Sequence, residues 1–382
     1  MRLAKRLCAV LMLGLAAALG LLACGSAPQR DPAPLLPVPE ALGLGQAWQN
    51  SAGGRIEFPM QVGLAGSSLA VATSRGTVAV INTTTGADMW RARVEADFSS
   101  GVGFDGRTAV VTTIDNELIA FTLSSKNQPV IAWRKTLQAR VYTAPLVAGG
   151  RVFVLAGDRT LQAFDATTGA RLWSLQRPSE PLILSQAGTL GVYQNTLLVG
   201  HSGRLLGVNP DNGLVQWELS VATSRATNDI ERLIDLVGSP NRVGDSVCLR
   251  AFQTSVACVD LAKNLVLWSK PSQGSTAVSG DAGMMASSES DGRVKAWNRT
   301  TGEQLWMNEK LLYRGLSAPL VVGNSVIVGD FEGYVHVLNK ASGDFTARFK
   351  TDGSAIVSAP VVIGNTVIVA TAKGGIYAFS PR

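Results

Sequence analysis

The chain has 382 residues, 46% hydrophobic and 16% charged, a balance that can bury a large core and excludes disorder over most of its length. Its 40 glycines follow no Gly-X-Y period, which excludes collagen, and with abundant Val and Thr they favour short strands and tight turns, so the expected class is all-β. The formal net charge of +6 includes Arg2, Lys5 and Arg6 of a removable leader and falls to +3 without them, and the remaining basic residues are scattered, which argues against nucleic-acid binding.

The first element in chain order is that leader, residues 1–23: a basic start, then an uncharged run from Leu7 to Ala23. It reads as an export signal; a membrane-spanning helix is the alternative, although about 17 apolar residues is the lower limit for a span. Leu21-Leu22-Ala23-Cys24 resembles the lipobox of bacterial lipoproteins, with an ordinary secretory signal as the other reading. The resemblance implies acyl chains on Cys24 that anchor the protein to a membrane without a transmembrane helix, and Gly25, where inner-membrane retention is associated with Asp, points to the outer membrane. Residues 24–44 hold Pro28, Pro32, Pro34, Pro37 and Pro39, a composition expected to stay extended, remain unpacked and act as a spacer.

From residue 45 onward the chain repeats. Trp48, Trp90, Trp133, Trp173, Trp217, Trp268 and Trp306 are spaced by 42, 43, 40, 44, 51 and 38 residues, and a further step of 43 lands on Phe349. Each closes a phrase such as DRTLQAFDATTGARLW (158–173) or DGRVKAWNRTTGEQLW (291–306), in which Gly86, Gly169, Gly213 and Gly302 supply a tight turn between strands. A second phrase, such as SAPLVVGNSVIVGD (317–330), adds two more strands. Four short strands per repeat of about 40 residues is the signature of a propeller blade. The last repeat ends at Arg382 without its Trp strand, and Gly45–Asn50 is a lone Trp strand, so the two are expected to pair and close an eight-bladed β-propeller over residues 45–382. The tryptophans read most simply as packing between blades; ligand stacking is the alternative.

Cys248 and Cys258 flank a hairpin symmetrically about Gln253, so their side chains should meet across neighbouring strands. A disulfide is expected in an oxidising compartment, against two buried free thiols.

The longest spacing, Trp217 to Trp268, carries its excess in residues 220–243, which include ATNDIERLIDLVGSP. Ile230, Leu233, Ile234 and Val237 recur at helical spacing after Asp229, which suggests a short amphipathic helix over Asn228–Leu236 or a loop packing its apolar face on the propeller. The repeats resemble quinoprotein-type propeller motifs, and the whole chain resembles the BamB family, lipoproteins of the outer-membrane β-barrel assembly machinery. That resemblance implies a contact loop for the POTRA domains of BamA, matched here by Glu231, Arg232, Leu233 and Asp235, and a second, apolar contact at Pro181–Leu184, with Leu182 and Leu184 as the anchors. Where the family offers an Arg and a second Asp, this chain has Ser185 and Val237.

Only His201 and His336 are available as histidines, and there is no HExxH, no cysteine knuckle, no Walker loop and no Gly-x-Ser-x-Gly elbow. No catalytic, cofactor-binding or metal-binding residue is therefore assigned. The expected function is a non-catalytic scaffold that binds BamA, other subunits of the assembly machinery and unfolded outer-membrane proteins. A quinone-dependent dehydrogenase and an independent glycan-binding propeller are the alternatives.

Overall fold

Runs such as Ser68–Ala72 and Thr77–Asn82 are almost continuously buried, which a strand tolerates only when both of its faces are covered. The outermost strands differ: Asp88–Arg93 and Pro129–Thr136 expose half or more of their positions and bury the Trp. The computed structural model describes residues 30–38, 44–58, 60–177, 184–222 and 234–381, and among them 32 strands form eight four-stranded antiparallel sheets with no helix. First strands of adjacent sheets touch one another, as Gly63–Ala65 touches Gly103–Phe104, so the sheets radiate from a common axis as an eight-bladed propeller. The core lies between blades; Leu69, Val71, Ala79 and Ile81 of blade 1, for example, pack on Ile368, Ala370, Ile376 and Ala378 of blade 8.

In blades 1–7 the strands follow chain order from axis to rim. Blade 8 takes Val361–Ile363, Thr366–Ala370 and Gly375–Pro381 from the end of the chain and its rim strand, Leu44–Ser51, from the beginning. That strand runs antiparallel to its neighbour from Leu44↔Pro381 to Ser51↔Gly375, with one bulge between Gln46 and Trp48. Because strands alternate in direction, every rim-to-axis connection and every turn between second and third strands emerges on one face of the ring. This is the connection-bearing face.

Five of the seven repeat tryptophans are bolts between blades. The indole N–H of Trp48, Trp133, Trp173, Trp268 and Trp306 donates to the rim-side turn of the next blade, at Thr83 O, Ala166 O, Pro210 O, Arg299 O and Lys340 O, over 2.7–3.0 Å. The glycine of that turn lies flat against the ring. At Gly302 φ is +68° and a Cβ would fall 2.6 Å from Trp268, so glycine is needed both for conformation and for room. In blade 5 the corresponding turn has Asn264, at φ 53°, and Trp217 instead lies over Gly207 of its own blade. Gly302→Ala is expected to cost about 2–4 kcal/mol from strain plus overpacking. Thermal melting checks this, and an unchanged transition would remove the bolt from the account.

A disulfide joins Cys248 to Cys258, which sit directly opposite each other on neighbouring strands of blade 5. The proline-rich segment departs from expectation. Residues 30–36 do not stand free as a spacer but hydrogen-bond to blades 6 and 7, with Ala33 N donating to Leu312 O and Arg314 donating to Ala33 O. An extended backbone without internal hydrogen bonds keeps its carbonyls available, and arginines such as Arg314 supply the donors. Residues 1–29, including Cys24, and residues 39–43 lie outside the described residues.

Candidate docking face

The two longest rim-to-axis connections leave Arg171–Leu175 of blade 3 and Val215–Ser220 of blade 4, and both end on the connection-bearing face. Their ends are laced together. Thr189 N donates to Leu236 O at 3.0 Å, Gly238 N donates to Ala187 O at 2.9 Å, and Thr189 Oγ1 donates to Gly238 O at 3.0 Å. Leu184 and Asp235, from the two connections, line one small cleft of about 30 Å³ with Tyr142 and Arg159. Beside it a groove of about 330 Å³ is walled by Arg75, Asp97, Arg140, Tyr142 and Ser185.

Asp235 faces into this cleft rather than away from the protein. Its carboxylate accepts a fork from Arg159, Nε to Oδ1 at 3.1 Å and Nη2 to Oδ2 at 2.8 Å, and a further bond from Ser202 N at 3.1 Å. Its carbonyl accepts from Phe252 N at 2.9 Å. With the Arg159 side chain 7% exposed, the pair is dry enough for the bidentate geometry to hold the second connection firmly. Arg177 similarly pins the first connection by donating to Glu218 at 2.7 Å; with Arg204 on its other oxygen, these bonds hold the Glu218 carboxyl below its ordinary value. Burial, followed by the charges of Arg159 and Arg177, pushes the His201 imidazole below its ordinary value.

Residues 228–233 of the helix expected over Asn228–Leu236 lie outside the described residues, and only its last three positions can be compared. Leu236 and Val237 open a strand, Leu236–Val243, and Ile234, Leu236 and Val237 are buried in the propeller. For these three residues the apolar pattern is core. Leu182, Glu231, Arg232 and Leu233 lie outside the described residues. Sequence reading missed Arg159, Arg177, Ser202 and Glu218. Their partners are 76, 41, 33 and 14 positions away, so no local spacing announces them.

Along the axis runs a cavity of about 670 Å³ lined by residues such as Met60, Ala277, Val278 and Pro319, with Glu57 its one charged residue among the described residues. Gln61 crosses it, accepting from Ala144 N at 2.7 Å and donating to Ser239 Oγ at 3.2 Å, which links blade 1 to blades 3 and 5.

The overall fold is shared with enzymes. A quinohemoprotein alcohol dehydrogenase from Comamonas testosteroni superposes with a TM-score of 0.66 at 15% identity, covering 88% of this chain and 76% of that one, which is a likeness of fold alone. The axial cavity does not suit the acidic quinone and calcium ion of such an enzyme. Among the described residues its lining presents no arginine or lysine to an anion, and no group of three His, Cys, Asp or Glu could hold a metal. Other likenesses are far stronger. BamB from Moraxella catarrhalis superposes with a TM-score of 0.79 at 26% identity over 88% of this chain and 99% of that one. Outer membrane protein assembly factor BamB of Burkholderia pseudomallei is 35% identical over 374 residues, 96% of each chain, and that of Bordetella pertussis is 35% identical over 352 residues, 91% of this chain and 90% of its own. The sequence model of the family "Outer membrane protein assembly factor BamB" matches residues 74–308 and 290–382, and with those matches spanning most of the propeller the chain belongs to the BamB family.

Proposed function

We propose that the protein is a non-catalytic scaffold of outer-membrane β-barrel assembly, anchored to the periplasmic face of the outer membrane through Cys24 and holding the POTRA region of BamA on its connection-bearing face. The observation that carries the reading is the lacing of the two long connections, which brings Leu184 and Asp235 to one cleft beside an open groove. Rigidity supports it too. A docking face works by presenting its contacts without first paying to order them, and here the feet of both connections are fixed by Arg159–Asp235 and Arg177–Glu218.

In this reading Leu182 and Leu184 supply apolar anchors, Glu231, Arg232 and Leu233 supply the polar and apolar contact of the second connection, and Asp235 both borders the contact and holds its base. Other subunits of the machinery and unfolded barrel proteins are further partners. No step transforms a substrate.

The test is affinity recovery from solubilised membranes. The unchanged chain should retain a POTRA-containing barrel protein, and Leu182→Asp with Arg232→Glu should reduce recovery at least about tenfold while thermal melting stays put. Asp235→Asn should weaken recovery and lower the melting temperature together, because it loosens Arg159 as well. Undiminished recovery with the first pair of changes would take the connections out of the interface, and recovery of glycan in place of protein would overturn the scaffold.

A further inference from the structure

Residues 30–38 follow the outside of the ring, and their attachment to it is built in depth. Arg30 Nη1 donates to Tyr313 Oη at 2.5 Å, with its guanidinium 5.3 Å from the centre of that ring. Ala33 N donates to Leu312 O at 2.9 Å, and Arg314 Nη1 donates to Ala33 O at 3.0 Å. Three residues on, Arg348 Nη1 donates to Leu36 O at 2.8 Å.

The two arginines that grip the carbonyls are themselves fixed by one buried chain of hydrogen bonds. Arg314 Nε donates to Asp330 Oδ2 at 2.7 Å, the same oxygen pairs with His336 Nε2 at 3.0 Å, and Arg348 Nε donates to His336 Nδ1 at 3.0 Å. Since Nδ1 accepts, the imidazole proton is on Nε2 and is donated to Asp330. Asp330 and His336 are fully buried and the Arg314 side chain is 3% exposed, so the donors are aimed before the segment arrives. Ala33 and Leu36 are thus held by opposite ends of a single network through blade 7.

The path has a direction. Leu312–Arg314 belong to the connection between the rim strand Gln304–Asn308 of blade 6 and the first strand Leu320–Val322 of blade 7, which places residues 30–33 on the connection-bearing face. Leu36 is beside Arg348, midway along the rim strand Phe345–Lys350. Leu44 pairs with Pro381 at the opposite face. The chain therefore enters at the connection-bearing face and descends the rim of blade 7, and the closing strand begins at the opposite face with Leu44.

We propose that residues 30–36 are a strap that makes the tether leave the propeller at its connection-bearing face, so that this face, with the two long connections, is held toward the bilayer. The proposal rests on the anchoring of Cys24 given above. From Cys24 to Arg30 there are six residues, a reach of at most about 20 Å; an undocked spacer of twenty residues to Leu44 would reach about 70 Å and leave from the opposite face. The strap thereby sets both the height of the ring above the membrane and which way it faces. Arg314 of the connection and Arg348 of the rim strand are its receptor, and an extended backbone with free carbonyls is what they recognise.

Two measurements on the full-length protein test this. In hydrogen exchange, the Ala33 amide should exchange at least about tenfold more slowly than in a free peptide of residues 28–38, and exchange at the peptide rate would overturn the strap whether or not the chain is lipidated. In vesicles of phosphatidylethanolamine and phosphatidylglycerol carrying a headgroup acceptor, a donor dye on Lys373→Cys, exposed on the connection-bearing face, should transfer more energy than one on Asn365→Cys, exposed on the opposite face. Arg30→Ala and Ala33→Pro together should abolish that difference while leaving the Arg314–Asp330–His336–Arg348 chain and the melting temperature in place. Equal transfer in the unchanged background, or a difference that survives release, would overturn the orientation. Failure to float with vesicles while Ala33 stays protected would instead sink the anchoring of Cys24, and the orientation with it, leaving only the strap contact.

Discussion

Deletion of residues 45–50 is expected to abolish the cooperative thermal transition. These residues supply the rim strand of blade 8, and their side chains continue the seam into blade 1. Trp48 Nε1 reaches Thr83 O, Asn50 Nδ2 donates to Gly86 O at 2.7 Å and to Asp88 Oδ1 at 2.9 Å, and Arg91 Nη2 donates to Ser51 O at 2.8 Å. The strand is thus a clasp between the last blade and the first. Without it, Gly375–Pro381 becomes an open edge and the Trp-on-glycine bolt between blades 8 and 1 is lost, a combined cost above about 5 kcal/mol and comparable with the whole net stability of an ordinary domain. Trp48→Ala alone removes the bolt but keeps the ladder, and should cost about 2–3 kcal/mol because the ring is only half-buried. Circular dichroism melting and solution scattering read both. An unchanged, sharp melt and an unchanged radius after the deletion would mean that the ring does not depend on its clasp.

The architecture was legible because one event, a tryptophan docking on the next blade's turn, recurs about every forty residues. The spacing of Trp48 through Trp306 and the glycines at 86, 169, 213 and 302 are two halves of the same contact, so reading either half reads the blade. Alternation along individual strands was a poorer guide. Leu161–Asp165 looks like a half-exposed strand by its polar positions, yet four of its five residues are buried because a blade interior is covered on both faces. The candidate face was legible as an interval of excess length between Trp217 and Trp268, but the roles within it were not. Asp235 belongs to a run that suggests a charged partner surface, whereas its carboxylate is fixed by an arginine 76 positions upstream. Nor does the proline-rich segment announce its docking, since its partners are a backbone carbonyl, which carries no sequence signature, and a tyrosine and two arginines more than 280 residues away.

Glu289→Ala is expected to lower stability by about 3–5 kcal/mol, the usual consequence of leaving a buried charge without its partner. Arg250 is fully buried between blades 5 and 6, donating to Ser272 Oγ at 3.0 Å and Ser288 O at 3.1 Å, with the Glu289 carboxylate 3.5 Å away. Glu289 also accepts from Ser272 and Ser287 hydroxyls and from Gln273 N, all within 2.7 Å. Burial alone would raise this carboxyl, but the charge of Arg250 and the two hydroxyls outweigh it and hold it below its ordinary value of 4.5. A carboxyl lowered in the folded state contributes stability that is complete above its unfolded value and fades as pH falls toward the folded one. The gap in melting temperature between the unchanged chain and Glu289→Ala should therefore be widest near neutral pH and narrow as the pH drops below 4.5. Removing both charges, as Arg250→Leu with Glu289→Leu, should recover much of the loss, because neither ion is then left desolvated alone. A single substitution that costs less than about 1 kcal/mol, or a gap that does not narrow in acid, would show that the guanidinium finds water or another acceptor there, and that the seam between blades 5 and 6 is not held by this pair.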